Sequence, residues 1–155
     1  MYFAYGSNMD WDQMRGRCRS ARFVCIAKLE AHRLIFPRTS KRRGCGVASV
    51  QPDRASDVWG VVYQIAEWDI GKLDKSEAYN PNLEPEENFY IRTECRVLRD
   101  ADKQEPVTAW TYVANVQPGM HKPDADYKAT ILKGAKFWHL PSEYVCKLEA
   151  IEVSD

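Results

Sequence analysis

The segment Val58-Trp59-Gly60-Val61-Val62-Tyr63-Gln64-Ile65 is almost continuously apolar and rich in β-branched and aromatic residues. A strand that buries only one face alternates apolar and polar side chains, whereas a strand covered on both faces does not. The segment therefore predicts a central strand of a sheet. Any fold available to this chain has to be built around that strand.

Further short strands and several helices are predicted on either side of this segment. The strands are expected at 2–5, 22–27, 33–36, 47–50, 88–98 and 107–113, and the helices at 10–17, 67–78, 127–135 and 140–151. Glycine, proline and asparagine predict loops at 37–46 and 79–88. Strands that come mostly before the helices are typical of an α+β domain around a curled or closed sheet.

Length and charge narrow the class of protein. The 155 residues fit one domain that spans 1–155. The 22 basic and 22 acidic residues cancel, so the basic excess that is usual in nucleic-acid binders is missing. A basic run, Lys41-Arg42-Arg43, is the one feature that favours nucleic acid, but such a run in a loop is usually only solvated. No apolar run approaches the roughly 20 residues that span a bilayer, so neither nucleic acid nor membrane is expected as a partner.

The five cysteines are scattered along the chain, with no C-x-x-C pair and no Cys/His cluster at zinc spacing. An odd number of dispersed thiols is typical of a reducing compartment. The N-terminal residues lack the basic and apolar regions of a signal peptide. We therefore expect a cytoplasmic protein without a metal site.

The opening segment Tyr2-Phe3-Ala4-Tyr5-Gly6-Ser7-Asn8 predicts a short buried strand that ends in a tight turn before a helix. Gly6 lets the backbone turn sharply and approach a ligand closely. The N–H groups at a helix start lack partners and attract anions, and Ser7 or Asn8 could cap the helix. The turn could hold a carboxylate or a phosphate, although a capped turn without any ligand fits the same residues.

Two carboxylates, Asp74 and Glu77, stand near the end of the predicted helix 67–78, just before a loop. A partly desolvated carboxylate in that position could move protons near neutral pH, because burial raises its pKa. On chemistry alone either residue could serve, but on spacing alone a solvated surface glutamate is the better explanation.

A set of motifs, taken in order, resembles the γ-glutamylcyclotransferase family, which includes the AIG2-like proteins. The motifs are Tyr2-Phe3-Ala4-Tyr5-Gly6-Ser7-Asn8-Met9, Val58-Trp59-Gly60-Val61-Val62-Tyr63, Leu73-Asp74-x-x-Glu77, Asn88-Phe89-Tyr90, Pro123-Asp124-Ala125-Asp126-Tyr127, Ile131-Leu132-x-Gly134-Ala135 and Leu140-Pro141-x-x-Tyr144. They cover nearly the whole chain. The fold that the resemblance implies is an α+β fold, a small mixed β-barrel flanked by helices, in agreement with the predicted elements.

The resemblance implies an enzyme that cyclises the γ-glutamyl group of γ-glutamyl amino acids or amines and releases 5-oxoproline, without metal or organic cofactor. Because the substrate's own α-amine is the nucleophile, the protein has to fold the glutamyl chain and move protons. By resemblance Glu77 is the acid/base, while Asp74 is structural or a helix cap. The implied substrate-binding residues are Tyr2, Phe3, Ala4, Tyr5, Gly6, Ser7, Tyr90 and Tyr127.

Two features depart from the family pattern. Ala78 stands where members often have glycine, so the loop after Glu77 is expected to follow a different path, because glycine permits backbone angles that alanine resists. The loop that leads to Phe89 is long and acidic, with Glu84, Glu86 and Glu87. Its position, where the leaving group should emerge, predicts a cationic leaving amine.

Three alternatives stay open from the sequence. The chain could act on a γ-glutamyl group carried by a larger molecule, or it could be a γ-glutamyl binding module without turnover. A homodimer is a further option, because Val145, Leu148 and Ile151 form an apolar stripe on the last predicted helix. The same stripe would also suit packing against the barrel.

Overall fold

The strand predicted to be central does lie between two others. A computed structural model describes residues 1–99 and 105–154. In it β5 (Val58–Gln64) pairs antiparallel with β1 (Tyr2–Ala4) on one side and with β2 (Arg22–Leu29) on the other. Val58, Val61, Val62 and Tyr63 are fully buried, which explains why the segment shows no polar alternation.

Five strands close into a barrel in the order β1-β5-β2-β6-β7, where β6 is Tyr90–Arg99 and β7 is Glu105–Ala114. Closure depends on a parallel contact between β1 and β7, in which Tyr2 is the register partner of Trp110. The other strand pairs of the barrel are antiparallel. The predicted small mixed β-barrel is therefore confirmed.

A separate hairpin, β3 (His32–Thr39) and β4 (Gly46–Pro52), packs beside the barrel. Ser49 Oγ accepts a hydrogen bond of 2.9 Å from the N–H of Ala114, which ties β4 to β7. The loop between the two strands covers only 40–45, so the prediction of a loop from residue 37 was wrong. β3 continues through Pro37 because the register shifts there, and an irregularity is where a strand tolerates a proline.

Four helices flank the barrel: α1 (Trp11–Arg17), α2 (Glu67–Ser76), α3 (Ala125–Phe137) and α4 (Ser142–Glu149). The expected capping of α1 by Ser7 or Asn8 was wrong. Residues Ser7–Met9 form a turn of 3-10 helix of their own, and the carboxylate of Asp10 caps α1 by accepting from the N–H of Gln13. The side chains of Ser7 and Asn8 are buried and face inward instead.

The apolar stripe of the last helix is used within the chain. Leu148 and Tyr144 are buried, and Val145 and Ile151 pack against the core. Packing against the barrel therefore accounts for this stripe. Among the described residues, no helix combines the length and the apolar character needed to cross a membrane.

Helix α3 packs so closely on the turn after β1 that one position has no room for a side chain. A Cβ atom added to Gly134 would lie 2.3 Å from the carbonyl carbon of Met9. The indole Nε1 of Trp138 donates to the carbonyl oxygen of Met9 at 2.9 Å. The C-terminal part of the chain thus fixes the position of the N-terminal turn.

We expect Gly134→Ala to destabilise the protein by at least about 2 kcal/mol. The added Cβ clashes with the backbone of Met9, which cannot move without displacing the turn. For a domain of this size the loss of stability corresponds to a fall in Tm of roughly 4–8 °C. The matched control is Gly71→Ala in α2, where no atom lies within 4 Å of the added Cβ. This second change should stabilise by up to about 1 kcal/mol, as expected for an exposed helical glycine. Equal effects in calorimetry would contradict the packing argument.

Candidate active site

A pocket of about 30 Å³ lies beside the turn after β1 and collects residues from six distant parts of the chain. Its lining consists of Tyr2, Tyr5, Gly6, Ser7, Asn8, Ala48, Glu77, Tyr90, Tyr112 and Tyr127. Seven of the predicted site residues, Glu77 among them, are thus brought together. Phe3 and Ala4 are buried but do not line the pocket. The ring of Phe3 packs over Gly60, because successive side chains of a strand point to opposite faces.

The turn that lines this pocket carries backbone N–H groups without a partner among the described residues. The carbonyl oxygens of Gly6 and Ser7 accept from the N–H groups of Met9 and Asp10, both at 3.0 Å. The N–H groups of Gly6, Ser7 and Asn8 have no hydrogen-bond partner within residues 1–99 and 105–154. Three unpaired N–H groups on one pocket wall form a favourable site for an anion.

Glu77 caps the C-terminal end of α2, and its carboxylate reaches the turn. Oε1 accepts from Asn8 Nδ2 and from Arg17 Nη1, both at 2.8 Å. Oε2 makes no hydrogen bond to the described part of the chain. The side chain is only 13% exposed, so one carboxylate oxygen is anchored while the other is free to exchange a proton.

Opposing influences act on the acidity of Glu77. Burial raises its pKa above the usual value for a glutamate, while the Arg17 charge and the hydrogen bond from Asn8 lower it. The charges of Arg43 and Arg42 act in the same direction as Arg17. Burial prevails, and the result is a carboxyl group with a raised pKa beside a fixed cation.

Asp74 is structural but not a helix cap, so that part of the prediction was wrong. Its Oδ1 accepts from the phenol of Tyr112 at 2.6 Å, and its Oδ2 accepts from Arg92 Nη1 at 3.0 Å. Because Tyr112 lines the pocket, Asp74 holds a pocket residue in place and joins α2 to β6 and β7. Its carboxylate does not line the pocket itself.

The pocket tyrosines are engaged mainly by backbone groups. The phenol of Tyr90 donates to the carbonyl oxygen of Ala48 at 2.6 Å, and the phenol oxygen of Tyr127 accepts from the N–H of Ala48 at 3.1 Å. The phenol of Tyr5 donates to the carbonyl oxygen of Tyr112. Burial raises the pKa of Tyr127 to about 12, so its phenol stays neutral at physiological pH. The tyrosines therefore shape the pocket by fixing β4 and β7 around it.

Tyr2 differs from Tyr5, Tyr90 and Tyr112, whose phenols all donate to the protein, because its proton is available. Tyr127 shares this property, since its phenol oxygen only accepts in the described part of the chain. The phenol oxygen of Tyr2 accepts from Asn8 Nδ2 at 2.9 Å. Within the described residues the phenol hydrogen has no acceptor. Tyr2 can therefore donate a hydrogen bond to a ligand in the pocket.

Several residues of the site carried no sequence signal for a ligand role. Ala48 and Tyr112 line the pocket together with Asn8, which belongs to the predicted turn, and Arg17 anchors Glu77. Gln13 is the residue one helical turn before Arg17, and it donates to Ser7 Oγ at 2.8 Å. The i,i+4 spacing of Gln13 and Arg17 places both on one face of α1, which is the one pattern that could have indicated them.

Ala78 adopts the left-handed backbone conformation, with φ at 50°. This is the region that glycine enters easily and alanine enters at a cost of roughly 1–2 kcal/mol. The carbonyl oxygen of Ala78 accepts from the N–H of Phe89, which closes the loop. The reason for expecting a different path at Ala78 therefore does not hold.

The pocket opens onto an outer cleft of about 700 Å³, and the two share Ser7, Glu77, Tyr90 and Tyr127. Six basic side chains and one acidic side chain, Glu77, line this cleft. The basic residues are Arg17, Arg38, Lys41, Arg42, Arg43 and Lys75. The acidic residues Glu84, Glu86 and Glu87 are exposed and do not line it. The expectation of acidic surroundings at the exit of the pocket was therefore wrong. The prediction of a cationic leaving amine depended on those surroundings and loses its support.

Several known proteins resemble this chain. Residues 57–148 match the AIG2-like family. A γ-glutamylcyclotransferase from Homo sapiens is 32% identical over the whole of this chain and 80% of its own length, and the Mus musculus protein of the same name matches equally. A solved structure described as a γ-glutamyl cyclotransferase superposes with a TM-score of 0.89 at 31% identity, over 99% of this chain and 88% of that one.

We expect Arg17→Gln to raise the pKa of Glu77 further, because the change removes the nearest charge that favours the carboxylate. A pH titration of the Glu77 side-chain carboxyl carbon by NMR measures this directly. Arg15→Gln is the matched control, since Arg15 lies on the same helix but is exposed and outside the pocket. Identical titration curves for Arg17→Gln and the unaltered protein would show that the ion pair does not act on Glu77.

Proposed function

Because the chain belongs to the γ-glutamylcyclotransferase family, we propose that its pocket binds a γ-glutamyl group and that Glu77 moves the protons of the cyclisation. The enzyme converts a γ-glutamyl amino acid or amine into 5-oxoproline and the free amine. One observation supports the assignment of the residues above all others. Glu77 offers a free, largely buried Oε2 beside a turn with three unpaired N–H groups.

In this reaction the substrate supplies the nucleophile. The α-nitrogen attacks the γ-carbonyl carbon and forms the C–N bond of the five-membered lactam, and the original amide C–N bond breaks. Glu77 takes one proton from the α-ammonium before the attack and gives it to the departing nitrogen, so the carboxylate is restored. The α-nitrogen loses a second proton as the lactam N–H forms, and that proton ends on the released amine as its ammonium. A positioned acid/base of this kind typically contributes about 10²–10⁴-fold to the rate.

The turn after β1 is the proposed site for the substrate α-carboxylate. The N–H groups of Gly6, Ser7 and Asn8 are unpaired, and the Arg43 guanidinium, which donates to Ser7 Oγ at 3.3 Å, adds positive charge. Binding the α-carboxylate there places the adjacent α-amine close to Glu77. Tyr2 can donate to the carbonyl oxygen as negative charge develops on it.

The tyrosine walls of the pocket serve the same reaction. A glutamyl chain has to bend for its α-nitrogen to reach its own γ-carbon. Tyrosines 5, 90 and 127, held by backbone hydrogen bonds, restrict the space available to an extended chain. Holding the bent conformer can supply an effective molarity of about 10⁵–10⁸ M.

The outer cleft favours one variant of this function. Its volume of about 700 Å³ exceeds the needs of a single small amine, so a γ-glutamyl group carried by a larger molecule is a second candidate substrate. Either way the proposed partner is a γ-glutamyl compound. A cytoplasmic location is also proposed, because the unbridged thiols, including the buried Cys18 and Cys45, suit a reducing compartment.

We expect Glu77→Gln to lower 5-oxoproline release by about 10²–10⁴-fold, because glutamine keeps the size of the side chain and cannot exchange the proton. Release is measured with a panel of γ-glutamyl dipeptides. Glu67→Gln, an exposed position in the first turn of the same helix, is the matched control and should keep full activity. Turnover that survives in Glu77→Gln would remove Glu77 from the proposed role.

A second change tests the turn without touching an ionisable group. A Cβ atom on Gly6 would lie 3.3 Å from Ala48 Cβ and 3.6 Å from the phenol oxygen of Tyr127, inside the pocket. Gly6→Ala should therefore lower kcat/KM by about 10–200-fold, the usual effect of one misplaced methyl group in a binding site.

The control for this change is Gly16→Ala on α1, where nothing lies within 4 Å of the new Cβ. Thermal unfolding of Gly6→Ala should stay close to that of the unaltered protein, because no buried backbone is displaced. An unchanged kcat/KM in Gly6→Ala would show that the substrate does not bind beside Gly6.

A further inference from the structure

The outer cleft concentrates positive charge in a chain whose formal net charge is zero. We call the five side chains Arg38, Lys41, Arg42, Arg43 and Lys75 the basic cleft. The first four come from the end of β3 and the loop that follows it, and Lys75 comes from the last turn of α2. Two unrelated segments thus bring their cations to one surface.

None of these five cations forms an ion pair with an acidic group in the described part of the chain. The one carboxylate that lines the cleft, Glu77, is already paired with Arg17 at 2.8 Å. The positive charge of the basic cleft is therefore not compensated locally. An uncompensated concave patch of one sign attracts ligands of the opposite sign.

Two of the cations are held in fixed positions by groups that leave their charge intact. The guanidinium of Arg38 lies 3.8 Å from the centroid of the Phe89 ring, and Arg38 Nη1 donates to the carbonyl oxygens of Phe89 and Asn115. The guanidinium of Arg43 lies 4.7 Å from the centroid of the Tyr127 ring. Arg43 Nη2 also donates to Gln13 Oε1 at 2.8 Å. Fixed, unneutralised cations lose little entropy when an anion binds.

The location of the basic cleft connects it to the substrate. Pocket and cleft meet at Glu77, which the proposed function places at the bond that breaks. If the pocket holds the γ-glutamyl half, the half that leaves has to extend into the cleft. A leaving amino acid always brings one carboxylate, and five uncompensated cations can accommodate more than one.

We propose that the preferred substrates are γ-glutamyl amides whose leaving half carries at least two negative charges, as in γ-glutamyl-glutamate. This inference rests on the proposed function, since it specifies the substrate class of the same site. The exposed cations Lys41, Arg42 and Lys75 are the specificity-determining residues. A cationic leaving half, such as lysine, is repelled by the same charges.

The first test compares γ-glutamyl-glutamate with γ-glutamyl-glutamine, which has nearly the same shape and one negative charge fewer, and with γ-glutamyl-lysine. We expect kcat/KM for the glutamate compound to exceed that for the glutamine compound by on the order of tenfold at low salt. The lysine compound should be the poorest of the three. The preference should shrink as ionic strength rises from about 0.01 M to about 1 M, because the screening length falls from about 30 Å to about 3 Å.

The second test removes charge from the cleft. Lys41→Gln/Arg42→Gln should lower the glutamate-to-glutamine ratio of kcat/KM by on the order of tenfold. The ratio cancels any influence of these charges on Glu77 itself, because both substrates use the same carboxylate. The matched control is Lys147→Gln/Arg54→Gln, two exposed cations outside the cleft, which changes the net charge equally and should leave the ratio unaltered.

A binding measurement separates this inference from the proposed function. Calorimetry on Glu77→Gln should show tighter binding of γ-glutamyl-glutamate than of γ-glutamyl-glutamine. If no dipeptide yields 5-oxoproline but this binding preference persists, the proposed function is overturned and the charge preference stands. If all three dipeptides turn over without regard to charge, the charge preference is overturned and the proposed function stands. Absence of both turnover and binding overturns both.

Discussion

The side-chain amide of Asn8 makes four hydrogen bonds inside the protein. Its Nδ2 donates to Glu77 Oε1 and to the phenol oxygen of Tyr2, and its Oδ1 accepts from Gln13 and Arg17. Two donors and two lone pairs are all that an amide offers, and a reversed amide would set Nδ2 against two other donors. Because Asn8 is buried, every one of these bonds would be costly to leave unmade. The carboxylate, the turn and α1 are therefore fixed relative to one another through this single group.

The position of Asn8 depends in turn on residues in the middle and near the other end of the chain. The phenol of Tyr63 on β5 donates to the carbonyl oxygen of Asn8 at 3.1 Å. Trp138 bonds the next carbonyl, that of Met9, and Gly134 allows α3 to touch the backbone there. The central strand and α3 thus hold the turn from two sides. A pocket whose lining comes from six distant segments needs such support, because a displacement of about an ångström at the turn would change its shape.

The elements that were predicted correctly are those whose burial leaves a local mark on the sequence. β5 can be recognised in the sequence because both of its faces are covered and its residues are therefore almost all apolar. The apolar spacing of α3 and α4 reflects one buried face in each helix. The contacts that complete the site leave no such local pattern in the sequence, because they join residues that are far apart in the chain. Glu77 meets Arg17 across 60 positions and Asn8 across 69, and the barrel closes through one register pair of β1 and β7. The basic run at Lys41 looked like a solvated loop because Lys75 joins it only in the folded chain.

An ion-paired carboxylate with a raised pKa is well suited to a proton that must be taken up and then given back. Arg17 favours the ionised form, so Glu77 can act as a base before the attack, even though burial opposes its charge. Once Glu77 is protonated, Arg17 faces a neutral acid, and its charge then favours loss of the proton to the departing nitrogen. A carboxylate without this partner would hold its proton more tightly, because burial alone would set its acidity. The same pair therefore serves both halves of the proposed cycle. Arg17 binds only Oε1 of Glu77, so Oε2 is left free to exchange the proton.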